Sequence, residues 1–305
     1  MATPSLDLPA IPASLAKRMA EIGPRWAENV SGHVRETTEL YSAVLARSPR
    51  DGLAVTRDIA YGTHARQVLD VHAADGANAA PVLVFAHGGA FVEGNKERTP
   101  EVYANALRCF ARHGVVGVNM EYRLAPEFKY PAASEDVAAA LEWTRTNIAR
   151  FGGDPARIYL MGHSAGAAHT ASYAYDARLH GAAGPRIAGH IVVSGRVRAE
   201  TRPDNPNAAK VAAYYGADAA FLEDCSGVSH INATSVPTMI AVAEFDNPLI
   251  DVHCLELAHR LGRAQNRAPR TVWLEGHNHT SIIASLDTAD DRLAREILAF
   301  MRRGR

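Results

Sequence analysis

Cysteine is scarce in this chain: three occur in 305 residues, Cys109, Cys225 and Cys254, widely spaced and odd in number. That pattern excludes a disulfide framework, and without a C-x-x-C pair there is no thiol motif for zinc or redox chemistry. Free thiols in a reducing, cytoplasmic setting are the expectation. None of the three sits in a turn that would expose and activate a thiolate, which argues against a cysteine nucleophile. An excess of either charge is also missing. Lys plus Arg number 32 against 33 Asp plus Glu, a formal net charge of −1, so no overall field draws nucleic acid or an anionic membrane surface. No apolar run reaches the roughly 18 residues of a membrane span. The opening MATPSLDLPAIPASLAKRM lacks a basic segment followed by a continuous apolar stretch, so it does not read as a secretory signal. The 14 histidines show no clustering with metal-ligand spacing, and neither a metal nor an organic cofactor is expected.

What is present is an ordinary globular composition, 47% hydrophobic and 21% charged, able to bury a sizeable core as one α/β unit. From about residue 53 short apolar runs alternate with helical patterns, the signature of a mostly parallel sheet covered on both faces. LAVTRDIAY (53–61) and QVLDVHA (67–73) alternate like half-exposed strands, and the short GTHAR between them predicts an antiparallel edge pair. PVLVFAHGG (81–89), VVGVNMEY (115–122), RIYLMGH (157–163), IAGHIVVSG (187–195), VPTMIAVAEF (236–245) and TVWLEGH (271–277) are near-continuous apolar runs, as expected of doubly buried strands. Helices are predicted at about 99–112, 131–152, 165–178, 248–264 and 287–303. Residues 1–50 read as an N-terminal helical cap segment and 51–305 as the main domain; the irregular 196–235 stretch is the other candidate cover for a site.

One motif stands where it has mechanical meaning. Gly162-His163-Ser164-Ala165-Gly166 follows the apolar strand RIYLM and precedes a small-residue helical run. A serine on a sharp strand-to-helix turn needs strained backbone angles, and glycines two residues to either side remove the collisions that side chains would make. The helix start also aims free N–H groups and a positive dipole end at a developing oxyanion. A second element, His87-Gly88-Gly89-Ala90, ends the strand PVLVFA, where paired glycines can bare backbone N–H groups; His87 is then a structural residue holding the loop.

A serine hydroxyl needs an adjacent base, itself oriented by a carboxylate, and on this kind of sheet the order along the chain is serine, acid, histidine. Asp246 and His279 satisfy that order. Asp246 is preferred to Glu244, still in its strand, and to Asp251, inside the next helix. His279 is preferred to His277 because it stands farther beyond the strand; His277 reads as a supporting or surface residue. His169, His230, His253 and His259 read as surface or packed histidines.

HGGAF (87–91), EYRLAPEFKYPAASEDVAAALEW (121–143), FGGDPARIYLMGHSAGA (151–167), the EFDNPL segment and the terminal GHNH together resemble the hormone-sensitive-lipase-like carboxylesterases of the α/β-hydrolase fold, over roughly residues 60–300. The resemblance implies Ser164 as nucleophile, Asp246 as acid and His279 as base. It implies an oxyanion hole of Gly88, Gly89 and Ala165 amides with Ala90 as a further donor, and a structural role for Tyr122 to Pro126. The sequence departs from that pattern in three places: HGGA for HGGG, GHSAGA for GDSAGG, and Asn247 inserted between Asp246 and Pro248. The first two also resemble the branch that includes arylformamidases. The expected activity is cleavage of a small or medium carboxylic ester, with amide or formamide cleavage by the same triad as the alternative. A ligand receptor on the same scaffold is a third reading, disfavoured because all three triad positions are filled. Expected partners are a small ester or amide, with a homodimer allowed.

Overall fold

The computed structural model describes residues 7–303; the first six residues of the expected cap segment and the last two of the chain lie outside the described residues. Eight strands form one sheet: β1 (Leu53–Ala60), β2 (Val68–Ala74), β3 (Ala80–Ala86), β4 (Val116–Met120), β5 (Gly153–His163), β6 (Gly189–Val193), β7 (Thr238–Phe245) and β8 (Arg270–Asn278), in the order β1-β2-β4-β3-β5-β6-β7-β8. β2 runs antiparallel to both β1 and β4, and all other pairs are parallel. The short GTHAR connection leaves no room for a crossover, which is why β1 and β2 pair as a hairpin.

The helices are α1 (Ala13–Ile22), α2 (Val30–Leu45), α3 (Ala104–Arg112), α4 (Ala132–Asn147), α5 (Ala165–Tyr175), α6 (Ala177–His180), α7 (Ala208–Tyr215), α8 (Ala219–Cys225), α9 (Ile250–Gln265), α10 (Ser281–Ala284) and α11 (Arg292–Arg303). Residues alternate in the central strands with a period of two. Leu83 and Phe85 of β3 pack with Tyr41 of α2, Phe110 of α3 and Phe300 of α11. Val82 and Val84 face the other way, toward Val137 and Leu141 of α4. Both faces are therefore dry, and β4 and β6 are buried at all five of their positions. The two edges differ: β1 is mostly exposed, and Trp273 on β8 is 47% exposed.

Leu15, Met19 and Ile22 of α1 and Val44 and Leu45 of α2 belong to the same apolar cluster as Phe85 and Ile191. The N-terminal helices are thus fastened to the sheet by continuous core. Several predicted ends shift for local reasons. The helix expected from about 99 starts at Ala104, because Tyr103 before it has φ of 80° and cannot be helical. The helix after Ser164 stops at Tyr175, where Asp176 turns the chain and caps α6 by accepting from the Arg178 N–H. The one expected from 287 starts at Arg292.

Candidate active site

Ser164 sits between β5 and α5 with φ of 57° and ψ of −121°, a conformation held only because its surroundings over-determine it. Its N–H donates to Val193 O at 3.2 Å, and its carbonyl accepts from Ala167 N–H and Arg196 N–H, each at 3.1 Å. A Cβ on Gly162 would lie 2.5 Å from Ala167 Cα, and one on Gly166 would lie 2.2 Å from Ala86 O. Any side chain at either position would open the turn. The half-buried serine faces a cavity of about 500 Å³ whose walls include Val34 and Thr38 of α2, Gly89, Ala90 and His279.

Loops after β7 and β8 bring the other two predicted residues to it. His279 Nε2 lies 3.0 Å from Ser164 Oγ, and His279 Nδ1 lies 2.6 Å from Asp246 Oδ1. The carboxylate accepts the Nδ1 proton, which leaves the Nε2 lone pair facing the hydroxyl. Asp246 and His279 side chains are 2% and 6% exposed, so their attraction is little screened. Asn247 N–H donates to Asp246 Oδ1 at 2.8 Å, and His279 N–H donates to Phe245 O at 3.1 Å, pinning one loop to the other. The alternatives lie elsewhere. Glu244 is exposed and accepts from Gly276 N–H at 2.7 Å; Asp251 accepts from Val252 N–H in α9. His277 is buried rather than at the surface, with Nδ1 3.1 Å from Ser281 Oγ and Nε2 3.1 Å from Asp290 Oδ2. Both of its nitrogens are engaged away from Ser164.

The loop after β3 differs from expectation at one residue. Gly88 N–H donates to Tyr103 Oη at 3.2 Å, so this amide is spent inside the protein and is not available to an oxyanion. The amides of Gly89, Ala90 and Ala165 meet no acceptor among the described residues, and all three residues line the cavity. A Cβ on Gly89 would fall 1.7 Å from Glu93 O, while Ala90 carries φ of 48° and Phe91 of 74°. His87 holds the loop as expected: its Nδ1 lies 2.8 Å from Gly88 O, and its ring stacks on Tyr122 at 4.3 Å.

Three supporting residues escaped the sequence reading. His163, where the family pattern has Asp, is buried between the loops: its Nε2 lies 2.9 Å from His279 O and its Nδ1 3.2 Å from Tyr103 Oη. A carbonyl can only accept, so Nε2 carries the proton and Nδ1 accepts from Tyr103, whose oxygen in turn accepts from Gly88 N–H. Burial first, then the electrostatic influence of the neighbouring His279 ring, hold His163 well below the ordinary histidine range, so it is neutral. This one ring and Tyr103 tie the loop after β3, the β5–α5 turn and the loop after β8 together. The third is Trp26, whose Nε1–H donates to Asn247 Oδ1 at 2.8 Å. The inserted asparagine thus fastens the acid loop to the N-terminal segment. Only the departures from the family pattern, at 163 and 247, pointed toward these positions.

The remaining histidines are not assembled into a site. His169 and His253 are buried and pushed down to about 3 by loss of water around them, His230 is half-buried beside Asp224, and His259 is exposed. Among the described residues no three His, Cys, Asp or Glu side chains converge as metal ligands, and no helix is long and apolar enough to cross a membrane.

Comparison with known proteins agrees with the architecture. The family model described as alpha/beta hydrolase fold matches residues 83–282. Carboxylesterase NlhH of Mycobacterium tuberculosis is 42% identical over 99 residues, 32% of this chain and 30% of that protein. The gibberellin receptor GID1 of rice, Oryza sativa subsp. japonica, is 38% identical over 121 residues, 37% of this chain and 32% of the receptor. The match thus spans about a third of the length of these curated relatives. A hyperthermophilic esterase from the archaeon Pyrobaculum calidifontis superposes with a TM-score of 0.72 at 22% identity, covering 96% of this chain and 98% of that one. With the elbow, the strand order and the family match in agreement, the chain belongs to the α/β-hydrolase fold family.

Proposed function

We propose that this chain is a serine carboxylesterase that cleaves small or medium acyl esters through an acyl-enzyme. One observation carries it: a half-buried Ser164 hydroxyl in a cavity, 3.0 Å from an imidazole whose far nitrogen is held by a buried carboxylate at 2.6 Å. His279 takes the Ser164 proton as the hydroxyl attacks the ester carbonyl. Asp246 steadies the imidazolium, and the amides of Gly89, Ala90 and Ala165 receive the oxyanion. His279 then protonates the departing alcohol oxygen, and water repeats the cycle on the acyl-enzyme. In this reading residues 1–50 act as a cap, which the place of Val34 and Thr38 in the cavity wall supports. The buried, unpaired thiols of Cys109, Cys225 and Cys254 support a reducing, cytoplasmic setting. The half-exposed Trp273 on the β8 edge supports a homodimer, which sedimentation at the mass of one chain, 32.8 kDa, would remove.

The same triad serves amide cleavage if His279 protonates a departing nitrogen, so formamides belong in the test. Aryl esters, long-chain esters and N-formyl aryl amines are assayed side by side, and a fluorophosphonate is used to label the protein with Ser164→Ala as control. Short aryl esters turned over fastest, with label on Ser164 alone, is the expected result. Similarity to a gibberellin receptor makes a binding protein the second reading; a folded protein that neither reacts with the fluorophosphonate nor hydrolyses any ester would establish it over the first.

A further inference from the structure

Arg196 closes the loop after β6, and its backbone is bonded to the Ser164 carbonyl at 3.1 Å. Arg196 is among the residues that line the same cavity as Ser164 and His279, yet it is only 3% exposed. Neither terminal guanidinium nitrogen meets a hydrogen-bond acceptor among the described residues. Arginine this deeply buried is ordinarily paired, because removing the charge from water is costly unless protein acceptors replace the lost hydrogen bonds. Glu200 and Asp246 act on it through space, but neither is within ion-pair distance of it among the described residues: Asp246 is bound to His279, and Glu200 Oε1 is itself buried without a hydrogen-bond partner. Burial outweighs both and pulls the guanidinium down to about 10.

The rest of the cavity wall leans the same way. Arg35 and Arg98 also line it, and neither is within ion-pair distance of a carboxylate among the described residues, whereas Lys210 is paired with Glu93 at 2.5 Å. Glu39 is the other acidic residue on the wall, and it is exposed on α2. We infer that Arg196 is a specificity-determining residue whose guanidinium receives a carboxylate of the substrate, so that the preferred esters are monoanionic. The planar fork of N–H donors matches a carboxylate in two parallel hydrogen bonds, and the dry setting strengthens them. The inference rests on the esterase reading for its substrate class, but the anion site stands on the unpaired guanidinium.

Two pairs of esters locate the carboxylate. The para-nitrophenyl hemiester of glutaric acid against para-nitrophenyl pentanoate places it on the acyl side; para-carboxyphenyl acetate against phenyl acetate places it on the alcohol side. In one pair the anionic ester has the higher kcat/KM, and Arg196→Met lowers that anionic-to-neutral ratio about 10- to 100-fold, the range of a charged hydrogen bond. A ratio that Arg196→Met leaves unchanged in both pairs overturns the inference, whatever happens to the separate rates, since a merely structural arginine would move both esters together. If Arg196→Met does not fold, Arg196→Lys, which keeps the charge and loses the fork, must lower the same ratio. Calorimetric binding of amides needs no turnover: glutaramate against pentanamide reports the acyl side and para-carboxyacetanilide against acetanilide the other. A preference for the anion in either pair that weakens in Arg196→Lys supports the site, and no preference in both overturns it. Absence of all ester turnover and of fluorophosphonate labelling would sink the esterase reading, while the amide pairs still decide the role of the arginine.

Discussion

The two sides of the cavity around Ser164 are built differently. On the elbow side the backbone itself is the structure: atoms added to Gly162 or Gly166 would meet the chain within 2.5 Å, and His163 and Tyr103 link three loops through buried hydrogen bonds. Across the cavity, α2 contributes side chains such as Val30, Val34 and Arg35, and the stretch after β6 contributes Arg196, Asn207 and Lys210. Apart from the Arg196 N–H, which donates to the Ser164 carbonyl, those residues shape the space without holding the turn. The contrast separates two demands: attack on a carbonyl needs sub-ångström placement, which interlocked backbone supplies, whereas substrate choice needs only a wall that can be changed residue by residue.

Breaking the elbow side has the largest expected effect. Ser164→Ala should lower ester turnover by roughly 10³ to 10⁶-fold while leaving the melting temperature near its original value; steady-state kinetics with calorimetry checks both, and wild-type turnover would end the assignment. His279→Ala should fall in a similar range, whereas His277→Ala should keep most activity and lose about 1–3 kcal/mol of stability, because it strands buried partners. The opposite outcome for the two histidines would make His277 the base.

Steric tests sharpen the contrast further. Gly166→Ala forces a methyl against the Ala86 carbonyl and should cost about 1–3 kcal/mol in urea unfolding. Val34→Ala on the opposite wall, half-buried, should cost under about 1 kcal/mol yet shift the preferred acyl length. Equal stability losses would erase the distinction between the two sides.

A further effect is set by pH. His169, behind the elbow on α5, and His72, His190 and His253 elsewhere in the core are pushed down to about 3 by burial. The unfolded chain, with histidines near 6.5, takes up protons that the fold refuses. Stability is therefore complete above about pH 6.5 and falls as the pH drops toward 3, by up to about 1.4 kcal/mol per histidine per pH unit. Urea midpoints at pH 7.5 and 5.5 measure this; an unchanged midpoint would mean that these histidines are hydrated in the fold.

Much of this molecule is written locally in its chain. Apolar runs bounded by turns located six of the eight strands and period-two alternation located the β1–β2 edge pair, although β8, expected to be doubly buried, is a largely exposed edge strand. The spacing of Gly162 and Gly166 marked the elbow because the collision they avoid is between near neighbours in sequence. Position relative to strand ends was enough to prefer Asp246 to Glu244, and those loops do converge on Ser164. What stayed hidden depends on groups far apart in the chain: the Trp26 bond to Asn247 across 221 positions, the Tyr103 oxygen that occupies Gly88, the carbonyl that fixes the His163 tautomer, and the buried, unpaired guanidinium of Arg196. Hydrogen-bond partners and desolvation are set by what packing brings within about 3 Å, and no local pattern of residue types encodes that distance.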